Sequence, residues 1–386
     1  MERNRNIRLL ALHNFLVNFE PHMPIAVIYF VQVTGSFSLG MLIFSINKLS
    51  SAIFEVPTGV LSDFVGRKKT IVLGSVAGTL AIVFFALGGS FWILALGAIF
   101  EGLAYSFYSG NNEAFLHETL RQDGRTEEYA HMLGRTSSFF QAGLGTSALL
   151  GSAVAIFYPL SIVFWAGVLP RLLCIVVSLF MRKPTVHEKE LHGNVFLHLK
   201  AALAKFKRNA KLRTLSIASI LNFGVSESTY LFTPAFYALL WPVWALGLAR
   251  VISNITAFIG FWFAGTFIRR FKALRSLIVS KVCGCGMALV AFVFPTALSP
   301  LLASCSSLFF GLQCTAESTL FQKEFTHRQR ATMGSLNQFA GSIFFAVFAF
   351  GFGFIADTIG PTKSLIVGEL LIFAIIGLYW RIFRHE

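Results

Sequence analysis

Residues 55–69 read EVPTGVLSDFVGRKK. A glutamate, an aspartate, a proline, two glycines and three cations share this short stretch, and apolar runs flank it at 39–54 and 70–87. Each run belongs to a segment of the roughly 20 helical residues needed to cross about 30 Å of hydrocarbon. The quoted stretch therefore reads as a charged turn between two membrane-crossing helices.

Composition extends that reading to the whole chain. Of 386 residues 55% are hydrophobic and 13% charged, with a mean hydropathy of +0.69. Soluble domains carry about 25% charged residues, so a water-exposed globule is excluded and the bilayer is the expected solvent. Twelve segments have the length and apolarity of spans, at roughly 8–33, 38–61, 69–88, 90–115, 130–156, 159–181, 213–237, 242–267, 274–294, 299–322, 331–357 and 361–382. Basic residues before the first segment resemble a signal peptide, but Glu20, Pro21 and Pro24 interrupt it and no small-residue cleavage site follows, so it is expected to stay. The longest link, 182–212, separates an N-terminal six-helix bundle at 1–181 from a C-terminal one at 213–386. Within it Val195, Phe196, Leu199, Leu203 and Phe206 fall at helical spacing among lysines, which predicts a helix over 195–207 lying on the membrane surface.

The net charge of +14 would fit a nucleic-acid partner if it formed a patch. It does not. Of 32 Lys and Arg residues, 26 fall in 1–8, 62–69, 116–131, 182–213, 268–275, 321–330 and 381–386, the links on the side of the N-terminus, while the opposite links hold Lys363. The positive-inside rule places both termini and the central link in the cytoplasm, and no nucleic-acid partner is needed. Cys174, Cys283, Cys285, Cys305 and Cys314 sit in apolar runs without zinc-like spacing and read as packing residues. No nucleotide-binding loop, metal cluster or catalytic triad is visible, so neither a cofactor nor an enzyme is expected. The halves echo one another: Asn14-Phe15-x-Val17 and Asn222-Phe223-x-Val225 open spans 1 and 7, and Phe100-x-Gly102-Leu103 and Phe309-x-Gly311-Leu312 lie in spans 4 and 10. These matches fit a duplicated six-helix unit of the kind secondary transporters use.

In the opening stretch, Gly59 allows close approach of another backbone. Asp63 lies four residues on, on the same helical face, placed for a helix N-terminus from elsewhere or for pairing with the cations after it. Gly66 permits a tight turn, and Arg67, Lys68 and Lys69 anchor the loop. Together Gly59, Asp63, Gly66, Arg67 and Lys68 resemble motif A of the major facilitator superfamily, roughly G-x-x-x-D-R-x-G-R-R, with Phe64 replacing the usual arginine. The position fits as well, between spans 2 and 3 of twelve. A degenerate copy, with Gly265, Arg269 and Arg270, follows span 8.

The resemblance implies an all-α integral membrane protein of two pseudo-symmetric six-helix bundles, working by alternating access, with this loop latching the halves in the outward-facing state. Other signatures of drug–proton antiporters are partial. Ala98-Ile99-Phe100-Glu101-Gly102 lacks the arginine of R-x-x-Q-G, and the stripe of Gly143, Gly145, Ser147 and Gly151 in span 5 has no G-P pair. Ser109-Gly110-Asn111-Asn112-Glu113 resembles the end of helix 4 in a bacterial drug-efflux-like subgroup.

Ionisable groups inside spans are costly and mark function by default. Those nearest mid-depth are Glu20, Lys48, Glu101, Arg171, Glu227 and Arg250. The resemblance places spans 1, 4, 7 and 10 around a central cavity, so Glu20, Glu101 and Glu227 are the proton-coupling candidates, with Glu317 on the fourth. Lys48, Arg171 and Arg250 are candidates for an anionic group, and Tyr105, Tyr108 and Tyr230 for pocket walls. His13 and His22 read equally as proton relays or buried packing residues, and the whole charged set could instead form interhelical ion pairs. The expectation is a monomeric secondary transporter of a bacterial inner membrane, coupled to protons or another ion and exporting small amphipathic compounds. Uptake of a small polar or anionic metabolite is the alternative, and a non-transporting receptor or regulator on the same scaffold is the reading from another class.

Overall fold

The computed structural model describes residues 5–184, 206, 209–324 and 327–383. Every regular element among them is helical. The surface helix expected over 195–207 lies, Phe206 apart, outside the described residues. The chain divides into two compact units, Met1–Gly35 with Leu42–Glu190 and Ser36–Met41 with Leu191–Glu386.

Unit 1 opens with α1 (Arg5–Val17) and α2 (Ala26–Thr34), joined by an irregular link that closes on a 3₁₀ turn, Met23–Ile25. The first span is thus broken rather than continuous. Pro21 and Pro24 lack the N–H a helix requires and disfavour helical geometry in the residues before them. Irregular backbone is tolerated at membrane depth where protein covers it, and Pro21 and His22 are buried. Two glycines of α7 (Tyr129–Phe157) make the room: a Cβ at Gly143 would run into the Phe15 carbonyl, and one at Gly151 into that of Pro21.

Next come α3 (Phe37–Val65), α4 (Arg67–Leu87) and α5 (Phe91–Tyr108), the last capped by the Ser90 hydroxyl, which accepts from the Ile93 N–H. At Ser109–Gly110 the chain breaks before α6 (Asn111–Gln122), and α8 (Leu160–Phe180) completes the unit. Helix α4 packs against both α5 and α8, and α1 against α7. One apolar cluster gathers Tyr29, Phe30, Phe85, Leu94 and Phe164, and another gathers Leu10, Ile71, Phe115 and Cys174.

Unit 2 holds α9 (Ala210–Tyr237), α10 (Leu246–Phe271), α11 (Ala273–Val293), α12 (Ser299–Cys305), α13 (Ser307–Glu324), α14 (His327–Ile359) and α15 (Pro361–Phe383). Its core gathers Leu215, Leu277, Ala316, Ile376 and Tyr379. Within this unit Asp357 accepts hydrogen bonds from the Phe37 and Ser38 N–H groups at 2.6 and 2.9 Å, an anion on a helix first turn. Of the cysteines, Cys174 and Cys285 are buried as packing residues would be, whereas Cys283 is exposed.

Among the described residues nine helices are long and apolar enough to cross a membrane. The other predicted spans are built differently. Span 1 is the α1–α2 pair and span 10 the α12–α13 pair, while α9 is long but carries Asn222, Glu227 and several hydroxyl residues.

Candidate functional site

Arg171 lies in the middle of α8, its carbonyl accepting from the Thr79 hydroxyl of α4 at 3.1 Å. The residue is 3% exposed. Its Nη2 stands 2.7 Å from Glu20 Oε1 and 2.9 Å from Glu101 Oε1. Glu20 comes from the α1–α2 break, where the proline-interrupted backbone turns it toward α8, and Glu101 comes from α5. Space for the guanidinium comes from Gly78 on α4: a Cβ there would sit 2.8 Å from Arg171 Nη1. Gly102 seats α5 against the Asn47 backbone and Ser50 of α3, which sets the depth of Glu101.

Two carboxylates on one guanidinium carry a formal charge of −1. Arginine keeps its proton in proteins, so the cation of this cluster is permanent. The arrangement is an interhelical ion-pair cluster of one cation and two acids, drawn from three separate stretches of unit 1.

Beside it, Ser75 donates to the Ile71 carbonyl at 2.9 Å and so accepts from the Tyr108 hydroxyl at 3.3 Å and from His13 Nε2–H at 3.0 Å. The Tyr108 and His13 rings meet edge to face, 5.3 Å between centroids. Tyr108 therefore packs and hydrogen-bonds inside the bundle, and no hydrogen bond among the described residues joins His13 to either glutamate. The His22 ring packs tilted against Phe164, 4.7 Å between centroids. Of the remaining unit 1 candidates, Lys48 places its Nζ 5.8 Å from the centre of the Tyr105 ring, and Tyr105 is 54% exposed.

The EVPTGVLSDFVGRKK turn builds a second polar network. Gly66 takes φ +89°, which reverses the chain between α3 and α4 in one residue. Arg67 pairs with Asp63 at 3.0 Å and Glu118 at 3.4 Å and donates to the Ser62 hydroxyl at 2.9 Å. Ser62 donates to Asn111 Oδ1 at 2.7 Å, and Asn111 Nδ2 donates to the Arg67 carbonyl at 3.1 Å. Lys68 donates to the Leu179 carbonyl at 2.9 Å. The Asn111 expected at the end of span 4 thus begins α6 and ties it to the motif. Gly59 departs from the expectation of close backbone approach: within its unit, no heavy atom lies within 4 Å of where its Cβ would stand.

In unit 2, Arg250 stacks over the Tyr230 ring at 4.5 Å, one helical turn from Glu227 on α9. Tyr379 donates to Glu317 Oε1 at 3.0 Å. Two further buried charged groups lie in this unit outside the predicted set, Lys281 and Glu369, which are 1% and 8% exposed. Each is a lone charge in an apolar run, and the rule that singled out Lys48 would have found both.

The sequence pattern described as Major Facilitator Superfamily matches residues 14–349. The chain is 23% identical over 365 residues to the uncharacterized MFS-type transporter YxaM of Bacillus subtilis, covering 92% of this chain and 90% of that protein. It is 28% identical over 241 residues to the multidrug resistance protein MdtG of Citrobacter koseri, 58% of each chain. Its fold is similar to the crystal structure of the nucleoside transporter NupG, with a TM-score of 0.79 and 13% identity over 100% of both chains.

Proposed function

The chain belongs to the Major Facilitator Superfamily, and from that premise we propose that it is a proton-driven secondary transporter whose proton is carried by the Glu20–Arg171–Glu101 cluster. One observation carries this reading: two carboxylates meet one buried guanidinium that cannot give up its own proton. When the cluster is closed from water, a carboxyl of Glu20 or Glu101 carries the proton beside the Arg171 guanidinium. Opened to water, the ionised pair is solvated and the proton leaves. Alternating access to the two sides turns that exchange into a driving force for cargo.

The cargo is a small amphipathic compound and the direction is export. The exposed ring of Tyr105 offers an aromatic face of the kind such compounds stack on, and the likeness to a multidrug resistance protein agrees. Uptake of a small polar or anionic metabolite is the second reading, favoured by the cations Lys48 and Arg250 stacked on tyrosine faces. The membrane is a bacterial inner membrane and the termini are cytoplasmic, as the 26 cations on one set of links favour. The protein acts as a monomer, and the Asp63–Arg67–Glu118 network serves as the latch that α3 and α4 present during the cycle.

Cells lacking their own efflux pumps, loaded with a fluorescent cationic dye, test the reading. Uncoupler-sensitive dye loss is expected with the wild-type protein, falling on the order of tenfold, equivalent to about 1.4 kcal/mol of barrier, in Glu101→Gln at equal membrane abundance. Wild-type loss no faster than from empty-vector cells would overturn export. Uptake screens with Lys48→Met and Arg250→Met would then decide the second reading.

A further inference from the structure

Asn14-Phe15-x-Val17 and Asn222-Phe223-x-Val225 repeat one signature in the two units, yet the asparagines are used differently. In unit 1 both ends of the Asn14 amide are taken. Its Nδ2 donates to the Thr136 carbonyl of α7 at 3.3 Å, and its Oδ1 accepts from Asn112 Nδ2 of α6 at 3.4 Å. Asn14 therefore ties helices together. In unit 2 the Asn222 amide of α9 is taken at its oxygen alone. Lys281 of α11, 1% exposed, donates to Asn222 Oδ1 at 2.7 Å, and the Ser226 hydroxyl donates to the same oxygen at 3.4 Å. Asn222 Nδ2 has no acceptor among the described residues. The residue is half-buried, and this nitrogen is not sealed inside protein.

Lys281 decides which end of that amide is left over. An ammonium donates hydrogen bonds and accepts none, so it faces the oxygen of a side-chain amide and turns the nitrogen away. Gln313 of α13 repeats the arrangement, with Oε1 3.5 Å from Lys281 Nζ, but its Nε2 is spent on the Ser280 carbonyl at 3.3 Å. The Tyr379 ring of α15, its centre 5.5 Å from Nζ, holds the ammonium from a further side. Of the two amides that Lys281 orients, only Asn222 keeps its N–H groups for a partner from outside the protein. Asn222, Ser226 and Tyr230 recur every four residues and share one face of α9. About 12 Å along the helix from the amide, that face presents the Tyr230 ring, 38% exposed and stacked under the Arg250 guanidinium at 4.5 Å.

We infer that Asn222 binds the cargo by donating from Nδ2 to a carbonyl oxygen, with Lys281 as the positioning residue that holds the amide in that orientation. This rests on the reading of the chain as an exporter of small amphipathic compounds and deepens it, by naming the polar group that a well-bound cargo carries. The donor is a neutral amide, and the nearby ammonium is already spent on amide oxygens, so the site suits an uncharged acceptor. The flat apolar part of the cargo lies along α9 toward Tyr230. Lys281 touches no cargo and acts through Asn222.

Two cationic dyes separate the donor from general affinity. Rhodamine 6G carries an ester carbonyl, and tetraphenylphosphonium carries no acceptor oxygen. Equilibrium binding of each is measured on the full chain in lipid nanodiscs. Asn222→Asp keeps the oxygen that Lys281 holds and removes the donor, while any effect of its charge falls on both cations alike. Rhodamine 6G should weaken relative to tetraphenylphosphonium on the order of fivefold, as one neutral hydrogen bond is worth. Lys281→Met frees the amide to turn and should shift the same ratio in the same direction, and Lys281→Arg should restore it. Retained tetraphenylphosphonium binding shows that each variant is folded. A ratio unchanged in Asn222→Asp overturns the donor role and leaves the export reading standing. Wild-type protein that binds neither dye sinks the export reading, and thiol labelling then decides the site. In a chain freed of Cys174, Cys283, Cys285, Cys305 and Cys314, Asn222→Cys should react with a water-soluble maleimide and Asn14→Cys should not. That contrast supports a donor facing some other cargo; an unreactive Asn222→Cys, or equal reaction at both positions, overturns it.

Discussion

Each unit buries one cation inside its helices, Arg171 in unit 1 and Lys281 in unit 2, yet the two are held differently. In unit 1 the guanidinium of Arg171 touches both acids, at 2.7 and 2.9 Å. In unit 2 the ammonium of Lys281 sits on the amide oxygens of Asn222 and Gln313, while Glu317 accepts from the Tyr379 hydroxyl. A planar, always-charged fork suits direct ion pairing, whereas a compact ammonium is readily satisfied by neutral oxygens. A buried cation can therefore be held by a tight ion pair or by a neutral polar network. The tight form depends more on its cation.

Removing that cation is expected to separate the units most sharply. Arg171→Met takes the buried guanidinium away from two partly buried carboxylates and should destabilise the protein by about 3 kcal/mol, read as an earlier unfolding midpoint when micelles are titrated with denaturing detergent. Lys281→Met leaves Asn222 without its donor and should cost about 1–3 kcal/mol in the same titration. Equal losses in the two variants would break the comparison.

A finer test leaves the charges in place and moves the cation. Ala at position 78 would press on Arg171 Nη1, so Gly78→Ala should cost about 1–3 kcal/mol as an overpacked site does. Gly145→Ala, where the added Cβ meets nothing within 4 Å, is the control and should be neutral or slightly stabilising.

The smallest effect concerns the turns. Gly66 between α3 and α4 has φ +89° and ψ 151°, and Lys272 between α10 and α11 has φ 63° and ψ 154°. These are the turns after spans 2 and 8, where motif A and its degenerate copy lie. Such a backbone is nearly reserved for glycine, and another residue there stores on the order of 1–3 kcal/mol. Lys272→Gly should relieve part of it and raise the unfolding midpoint, while Gly66→Ala should lower it. A Lys272→Gly variant no more stable than the wild type would show that the lysine is compensated by its surroundings.

Much of the fold was legible because hydrocarbon thickness dictates span length and reversals need recognisable residues. The predicted spans at 38–61, 69–88 and 130–156 appear as α3, α4 and α7 with modest extensions. The breaks were less legible. Pro21 and Pro24 marked the first, but the break at Ser109–Gly110 and the one before Ser307 fall in runs that read as continuous. In the site, Glu20, Glu101 and Arg171 stand out in the sequence as charges within spans, with separate roles or, in the alternative reading, as interhelical ion pairs, but nothing in it says which charge meets which. Lys281 and Glu369 obey the same rule among apolar neighbours.

By itself the sequence determined that this chain is helical, that it lives in a membrane, where its turns lie, and which side chains are too costly to bury without purpose. Those follow from the chemistry of each residue and the thickness of the bilayer, which are local. Only the tertiary structure decided that Glu20 and Glu101, 151 and 70 residues from Arg171, meet on one guanidinium, and that Lys281 rests on Asn222 instead of a carboxylate. Helix rotation and packing set those meetings, through the space that Gly78, Gly102 and Gly151 leave for neighbours far away in the chain, and no spacing along one helix encodes the face that another will present to it.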